Sequence, residues 1–392
     1  MTARWFRPMS DAELAEAAVD LFRREFDRGP DGVWAAPGRV NLIGEHVDYA
    51  GGLCLPIALP HSTAAAVSPR SDGLIRLRST DADRWDGRLE DVGPGRPAGW
   101  AAYAAGVIWA LRENGLLTDD FGGVDVAFVS AVPIGAGLSS SAALECSLAL
   151  ALAPEADRAK LAAACVRTEN EVALAPTGGM DQAAALLATE GHALLLDSAS
   201  SSVSQVPFDP EGLTLLVVDT RAPHRLVDGA YGDRRAAVEL AAQRLGVGSL
   251  RELADLGSDG TDAVRSLQDD VLRRRARHVI SEIARVRHAV RALHSGDFGE
   301  LGRLLYASHL SLSCDFEVSC AELDNAVEST LIAGALGARM TGGGFGGSAI
   351  ALIPPERVDE AIETVRSRAD ERGLTEPAFA MVTASPPARR LI

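Results

Sequence analysis

Arg39, Glu45, His46, Asp48 and Tyr49 fall within one stretch, APGRVNLIGEHVDYAGG, from Ala36 to Gly52. The stretch surrounds them with small or apolar residues and four glycines. Carboxylates accept hydrogen bonds, a guanidinium donates them, and an imidazole does either. The stretch is either a solvated charged loop or a segment whose side chains converge on something small and polar.

A second stretch, VPIGAGLSSSAALECSLALAL, is predicted to follow a strand and open a helix. Its first turn contains Gly135, Ala136, Gly137, Leu138, Ser139, Ser140 and Ser141. Small residues let backbone N–H groups face one point, and the helix N-terminus adds positive potential there. That is a phosphate site by mechanism, and the serine hydroxyls suit phosphate oxygens or a divalent ion. The plainer reading is a Gly/Ser turn capping a core helix, whose Leu144, Leu148 and Leu152 recur at four-residue spacing. The only lysine in the chain is Lys160, so the lysine of a P-loop or a protein kinase is missing. A second glycine cluster, MTGGGFGGSAIAL from Met340, precedes a predicted strand. Two such loops suggest a cradle closing on a nucleotide from both sides.

These segments need a scaffold. At 392 residues the chain suits two domains. Its 47% hydrophobic and 23% charged residues are ordinary for a globular protein. A net charge of −16 disfavours nucleic acid and anionic membrane. No apolar run suits a membrane span, and the N-terminus lacks a signal peptide's apolar core. Cys54, Cys146, Cys165, Cys314 and Cys320 are odd in number and unspaced for metal, consistent with reduced thiols in the cytoplasm. Ser10 and Glu13 form a capping box ahead of a helix carrying Leu14, Ala18, Leu21 and Phe22 on one face. Strands are expected at TAAAVSP, IRLRS, VDVAFVS, LTLLVVDT, AIALI and FAMVTAS, and helices near Trp100 and Ser140. The Ser-rich Asp197–Gly212 reads as a domain boundary, giving domains of 1–205 and 206–392. A long helical region is expected from Ala230 to about His294. Its Arg273, Arg274, Arg275 and Arg277 read as a solvated face, and His278, His288 and His294 as surface residues. The mixture indicates an α+β fold.

The three motif segments together resemble the galactokinases of the GHMP kinase superfamily. The first resembles the family signature GRVNLIGEHxDYxGG, the second GLSSSAALE and the third GGGFGG. WAAYAAGV at Trp100, TEN ending at Asn170, GGMDQ at Gly178, DTRAPHRLVDGAYGDRR at Asp219 and FEVSCAELD at Phe316 extend the match over nearly the whole chain. The resemblance implies two α+β domains, a ribosomal-protein-like N-terminal one and a ferredoxin-like C-terminal one, with the active site in the cleft between them. It implies ATP-dependent phosphorylation of the C1 hydroxyl of galactose. Asp181 would be the catalytic aspartate, with Arg39 beside it to stabilise charge on the phosphoryl group. Glu45, His46, Val47 and Asp48 would form the sugar-binding stretch, joined by Gly178 and Tyr231. Residues 135–141 and, more weakly, Ser79 would contact ATP. Ser141 and Glu169 would hold Mg²⁺, with Ser140 and Glu171 as rivals. Trp100 and Tyr103 would line an adenine pocket or serve the core.

The chain departs from the family pattern in two places. Val47 stands where threonine is usual, and APTGGMDQ lacks a cysteine before its glycines. Either could alter pocket shape, so a kinase for N-acetylgalactosamine or arabinose is the alternative. A non-catalytic galactose/ATP-binding regulator fits less well, because the serine loop is intact. The expected partners are galactose and ATP alone, acting on a monomer.

Overall fold

The capping box at Ser10 forms in a computed structural model of the chain, which describes residues 3–118, 120–175, 177–222 and 227–392. Ser10 Oγ accepts the Glu13 N–H at 3.3 Å, and the Glu13 carboxylate accepts the Ser10 N–H at 2.8 Å. This opens α1 (Asp11–Phe26), which buries Leu14, Ala18, Leu21 and Phe22. These pack on one face of a six-stranded sheet, against Ala64, Ala66, Ala127 and Val129. The sheet order is β14 (Arg389–Arg390), β2 (Gly32–Asn41), β4 (Pro56–Pro69), β7 (Gly122–Ser130), β5 (Ser71–Ser79) and β6 (Trp85–Arg88). Its other face carries Ala65, Val67, Val126 and Phe128 against α2 (Trp100–Glu113), α3 (Ser140–Leu152) and α4 (Arg158–Arg167). Both faces are covered, so TAAAVSP is apolar at nearly every position rather than alternating.

A five-stranded sheet has the order β1 (Arg4–Trp5), β13 (Ala378–Val382), β10 (Thr214–Asp219), β12 (Ser348–Ile353) and β11 (Gly337–Thr341). The helices α10 (Phe298–Ser311), α11 (Ala321–Ile332) and α12 (Val358–Glu371) belong to this half. A third sheet joins β3 (Leu53–Cys54), which falls between β2 and β4 in sequence, to β8 (His192–Asp197) and β9 (Ser202–Pro207). α5 (Met180–Leu187) precedes β8.

The two halves are interlocked. Strand β1 pairs with β13 and β14 pairs with β2, so each end of the chain joins the other half's sheet. One core runs from Val40, Leu42 and Ile43 to Val217, Ile350 and Phe379. A division at 205/206 runs through β9, whose pairing with β8 continues across Gln205 and Val206. Of the serines that read as a domain boundary, Ser198, Ser200 and Ser201 form the turn between β8 and β9, and Ser202 and Ser204 are exposed on that edge strand.

The region from Ala230 to His294 is broken into α6 (Val227–Leu245), α7 (Leu250–Asp255), α8 (Ser258–Val264) and α9 (Asp270–Ser295). Gly246 and Gly257 take positive φ at the breaks. On α9, His288 and His294 are exposed, as expected, but His278 is fully buried. The arginine cluster is likewise not a free solvated face. Arg275 is buried against Phe316 and pairs with Glu317, and Arg277 pairs with Asp315. These partners are remote in sequence, on the turn after α10.

Candidate active site

Strand β2 delivers Arg39 and then hands over to the polar segment. Past Asn41 the chain turns sharply at Gly44, with φ of 99°, and a Cβ there would meet Leu53 O at 2.3 Å. His46 also takes a left-handed backbone, with φ of 59°. For a non-glycine residue that costs about 1–2 kcal/mol, so its surroundings must hold it. His46 Nε2 lies 3.1 Å from the Gly343 carbonyl, which can only accept, so Nε2 carries the proton. Nδ1 then accepts from the Tyr49 hydroxyl at 3.2 Å. Burial lowers the His46 pKa to about 3, so the ring is neutral at physiological pH. Both ring nitrogens already have protein partners, and a sugar hydroxyl would have to compete with Tyr49 for Nδ1.

Glu45 is 3% exposed, and its Oε2 accepts from Arg339 Nη2 at 2.9 Å. Burial raises its pKa, while the charges of Arg339 and Arg39 oppose that shift. Asp48 is raised to about 6 by burial and by the nearby charge of Asp181. A Cβ on Gly178 would lie 2.0 Å from Asp48 Oδ2, so only glycine lets this backbone approach the carboxylate. Tyr231, on α6, stacks near both rings, 5.3 Å from His46 and 5.8 Å from Tyr49.

At the other end, Asp181 sits in the first turn of α5. Arg39 grips it with two hydrogen bonds, Nε to Oδ1 and Nη2 to Oδ2, each 2.9 Å. Its third arm, Nη1, donates to the Gly137 carbonyl at 2.7 Å, tying the aspartate to the glycine loop. Ser139, in a left-handed conformation at the start of α3, donates to Asp181 Oδ2 at 2.5 Å. The second glycine cluster closes over the loop. Ser348 Oγ donates to Ala136 O at 2.7 Å, and a Cβ on Gly342 would lie 2.9 Å from Gly137 O.

Ser141 Oγ donates to Glu169 Oε1 at 2.8 Å. Glu169 lies on a single π-helical turn, Thr168–Ala173. Burial and the charge of Asp181 push its pKa up to about 7. A buried carboxylate without a cationic partner, next to a hydroxyl, is the hard-oxygen donor set that suits Mg²⁺. Among the described residues no group of three or more His, Cys, Asp or Glu could hold a metal, so any such ion would take its remaining ligands from phosphate and water. Glu171 pairs with Arg167 at 2.6 Å instead.

Arg39, Glu45, His46, Asp48, Tyr103, Ser141, Glu169, Asp181 and Tyr231 line one cavity of about 260 Å³, with Gly342 and Gly343. Other expected residues do not reach it. Val47 is buried in the core, and Ala136 and Leu138 also turn their side chains inward. Ser79 ends β5, where its Oγ accepts from the Asp81 N–H. Ser140 is not on the cavity lining. Trp100 donates to Asp83 O and packs edge-on to Phe128. Of the segment beginning at Asp219, residues 223–226 lie outside the described residues. The sequence reading missed Arg339, His278 and Glu282, which support Glu45 from below. Only Arg339 carried a signal, as a lone charge in a short buried strand; His278 and Glu282 lie among the many charged residues of α9.

The chain matches the models of the galactokinase galactose-binding signature over residues 20–69, the GHMP kinase N-terminal domain over 102–189 and the GHMP kinase C-terminal domain over 289–371. It is 48% identical to a galactokinase of Streptomyces coelicolor, over 97% of this chain and 99% of that protein. A galactokinase of Canis lupus familiaris is 40% identical over 92% of this chain and 93% of its own. The crystal structure of Lactococcus lactis galactokinase complexed with galactose superposes with a TM-score of 0.88 at 29% identity, covering 95% of this chain and 99% of that one. With the signature segment, both kinase domains and full-length relatives in agreement, the chain belongs to the galactokinase family of the GHMP kinases.

Proposed function

We propose that this protein transfers the γ-phosphate of ATP to the C1 hydroxyl of galactose, yielding galactose 1-phosphate and ADP. The observation that carries the reading is the Arg39–Asp181 pair, set between the segment 45–48 and the glycine loop. Glu45 and Asp48 accept hydrogen bonds from sugar hydroxyls, and the backbone at Gly178 fixes the sugar's edge against Asp48. The C1 oxygen attacks the γ-phosphorus, its proton passes to an Asp181 carboxylate oxygen, and ADP leaves with the bond electrons. Arg39 and Ser139 hold Asp181 in one orientation, and Arg39 stabilises charge on the phosphoryl group. Positioning and charge neutralisation supply most of the catalysis in such transfers.

Ser141 and Glu169 would hold Mg²⁺. That ion, when bound, neutralises charge on the β- and γ-phosphate oxygens. The protein is read as a monomer that works on galactose and ATP in the cytoplasm. No helix among the described residues is long and apolar enough to cross a membrane.

The test is coupled ADP release with ATP and Mg²⁺ across galactose, glucose, N-acetylgalactosamine and arabinose. Galactose should turn over at least about tenfold better than glucose, because an inverted C4 hydroxyl leaves buried carboxylates unpaired. Activity should vanish with EDTA and return with Mg²⁺. Equal turnover of glucose and galactose would overturn the assignment of 45–48.

A further inference from the structure

Glu282 lies on α9, in the C-terminal half, and is fully buried. No part of the reaction described above uses it. Yet its Oε1 accepts the N–H of Gly44 at 3.0 Å and that of Glu45 at 3.4 Å. The same oxygen accepts from Ser308 on α10 at 2.7 Å, and Oε2 accepts from Arg285 Nε at 2.7 Å. One turn earlier on α9, His278 Nε2 donates to the Glu45 carbonyl at 3.1 Å. Its Nδ1 accepts from Ser311 at 2.9 Å. Arg339, on β11, completes the support. It donates to the Asn41 and Leu42 carbonyls at 3.0 and 3.1 Å as well as to the Glu45 carboxylate.

The backbone from 41 to 45 is thus hydrogen-bonded to groups remote in sequence, on both sides of the positive-φ Gly44 and up to the left-handed His46. A buried anion facing two backbone N–H groups is expensive to desolvate unless its charge is balanced. Burial does oppose the charge of Glu282. The charges of Arg285 and Arg339, with the hydrogen bond from Ser308, outweigh it and hold the carboxyl well below the usual range. Packing alone would have been served by a leucine on this apolar face of α9. A neutral amide could not receive three donors on one oxygen as strongly, because hydrogen bonds to an ionised acceptor are roughly twice as strong.

We infer that Glu282 is a positioning residue for sugar recognition: it holds residues 44–46 in the strained backbone that points Glu45 and His46 at the sugar. This rests on the reading of 45–48 as the sugar-binding segment. It adds that a buried residue of the C-terminal half sets galactose affinity without itself touching galactose.

The experiment compares Glu282→Gln, Ser308→Ala and Glu45→Ala with the unaltered protein, using steady-state kinetics in each substrate. Glu45→Ala is the control for the underlying reading: it should raise the galactose KM at least about tenfold. An unchanged galactose KM in that control overturns the sugar-segment reading, and this inference with it. Given a responsive control, Glu282→Gln should raise the galactose KM about tenfold while the ATP KM stays within about twofold, the pattern of lost pre-organisation at one substrate. If Glu282→Gln does not fold, Ser308→Ala carries the test, with an expected rise of about threefold in the galactose KM alone. A folded Glu282→Gln with both KM values unchanged overturns the inference, whatever its melting temperature. So does a parallel rise in both KM values, which would mark a general structural role. Where Glu282→Gln is not folded, an unaltered galactose KM in Ser308→Ala overturns it too.

Discussion

The two ends of the cleft are built on opposite plans. In the proposed reading side chains read the sugar, and they are fixed by partners remote in sequence, Glu45 by Arg339 and His46 by Gly343, with Tyr49 three residues on holding the other ring nitrogen. At the phosphate end, in the same reading, recognition falls to the backbone of residues 135–141 and the start of α3, where Arg39 and Ser139 orient Asp181. The difference follows from the ligands. A phosphate is a symmetric anion, for which N–H groups and a helix terminus suffice. A hexose differs from its epimers by one hydroxyl, and rejection requires fixed buried acceptors that a wrong epimer leaves unpaired.

If the ends are separable, damage at one should leave binding at the other intact. The largest effect is expected from Asp181→Asn, which keeps the shape but removes the carboxylate. Its kcat should fall about 100-fold or more, with galactose and ATP KM values within about threefold. Combined with Arg39→Ala, the losses should not add, since the two groups act on one transition state. A folded Asp181→Asn with near-unaltered kcat would leave positioning as the whole mechanism.

Gly178→Ala sharpens the sugar side. Its new methyl meets the Asp48 carboxylate, so the galactose KM should rise about tenfold, the size of an overpacking penalty of 1–2 kcal/mol. The ATP KM should hold. Equal changes in both would mean that the two ends share one rigid frame.

The smallest effect is a pH dependence. Asp48 is raised to about 6 by burial and the charge of Asp181, so it is protonated within an accessible range. Its folded pKa exceeds the unfolded value, so its ionisation destabilises the fold above about pH 6, and that cost is relieved as the pH falls towards 4. Galactose affinity runs the other way if the ionised carboxylate is the acceptor. The galactose KM should rise about fourfold between about pH 7 and about pH 5.5, as the charged fraction falls. Isothermal titration of Asp48→Asn should show this dependence removed; its persistence would assign it to another group.

Much of the cleft was legible in the sequence because its parts are local. The glycines, the serine run and the residues 45–48 sit in contiguous stretches whose spacing encodes a turn or a helix start. The capping box at Ser10 and the starts of α2 and α3 were readable for the same reason: they depend on residues within one turn of each other.

The rest depended on pairs that no local pattern records. His278 looked like a surface histidine because its partners, Glu45 O and Ser311, are brought to it only by folding. Asp197–Gly212 read as a domain boundary because it contains β9, an edge strand that is paired on one side and keeps mostly exposed side chains. By itself the sequence determined the chemistry on offer: carboxylates at 45, 48, 169 and 181, an arginine at 39, and backbone donors at 135–141. Only the tertiary structure decided which groups face the cavity and which hold the others in place. The physical reason is that burial and charge neutralisation act through space, so a buried carboxylate such as Glu282 becomes intelligible only beside the donors that surround it.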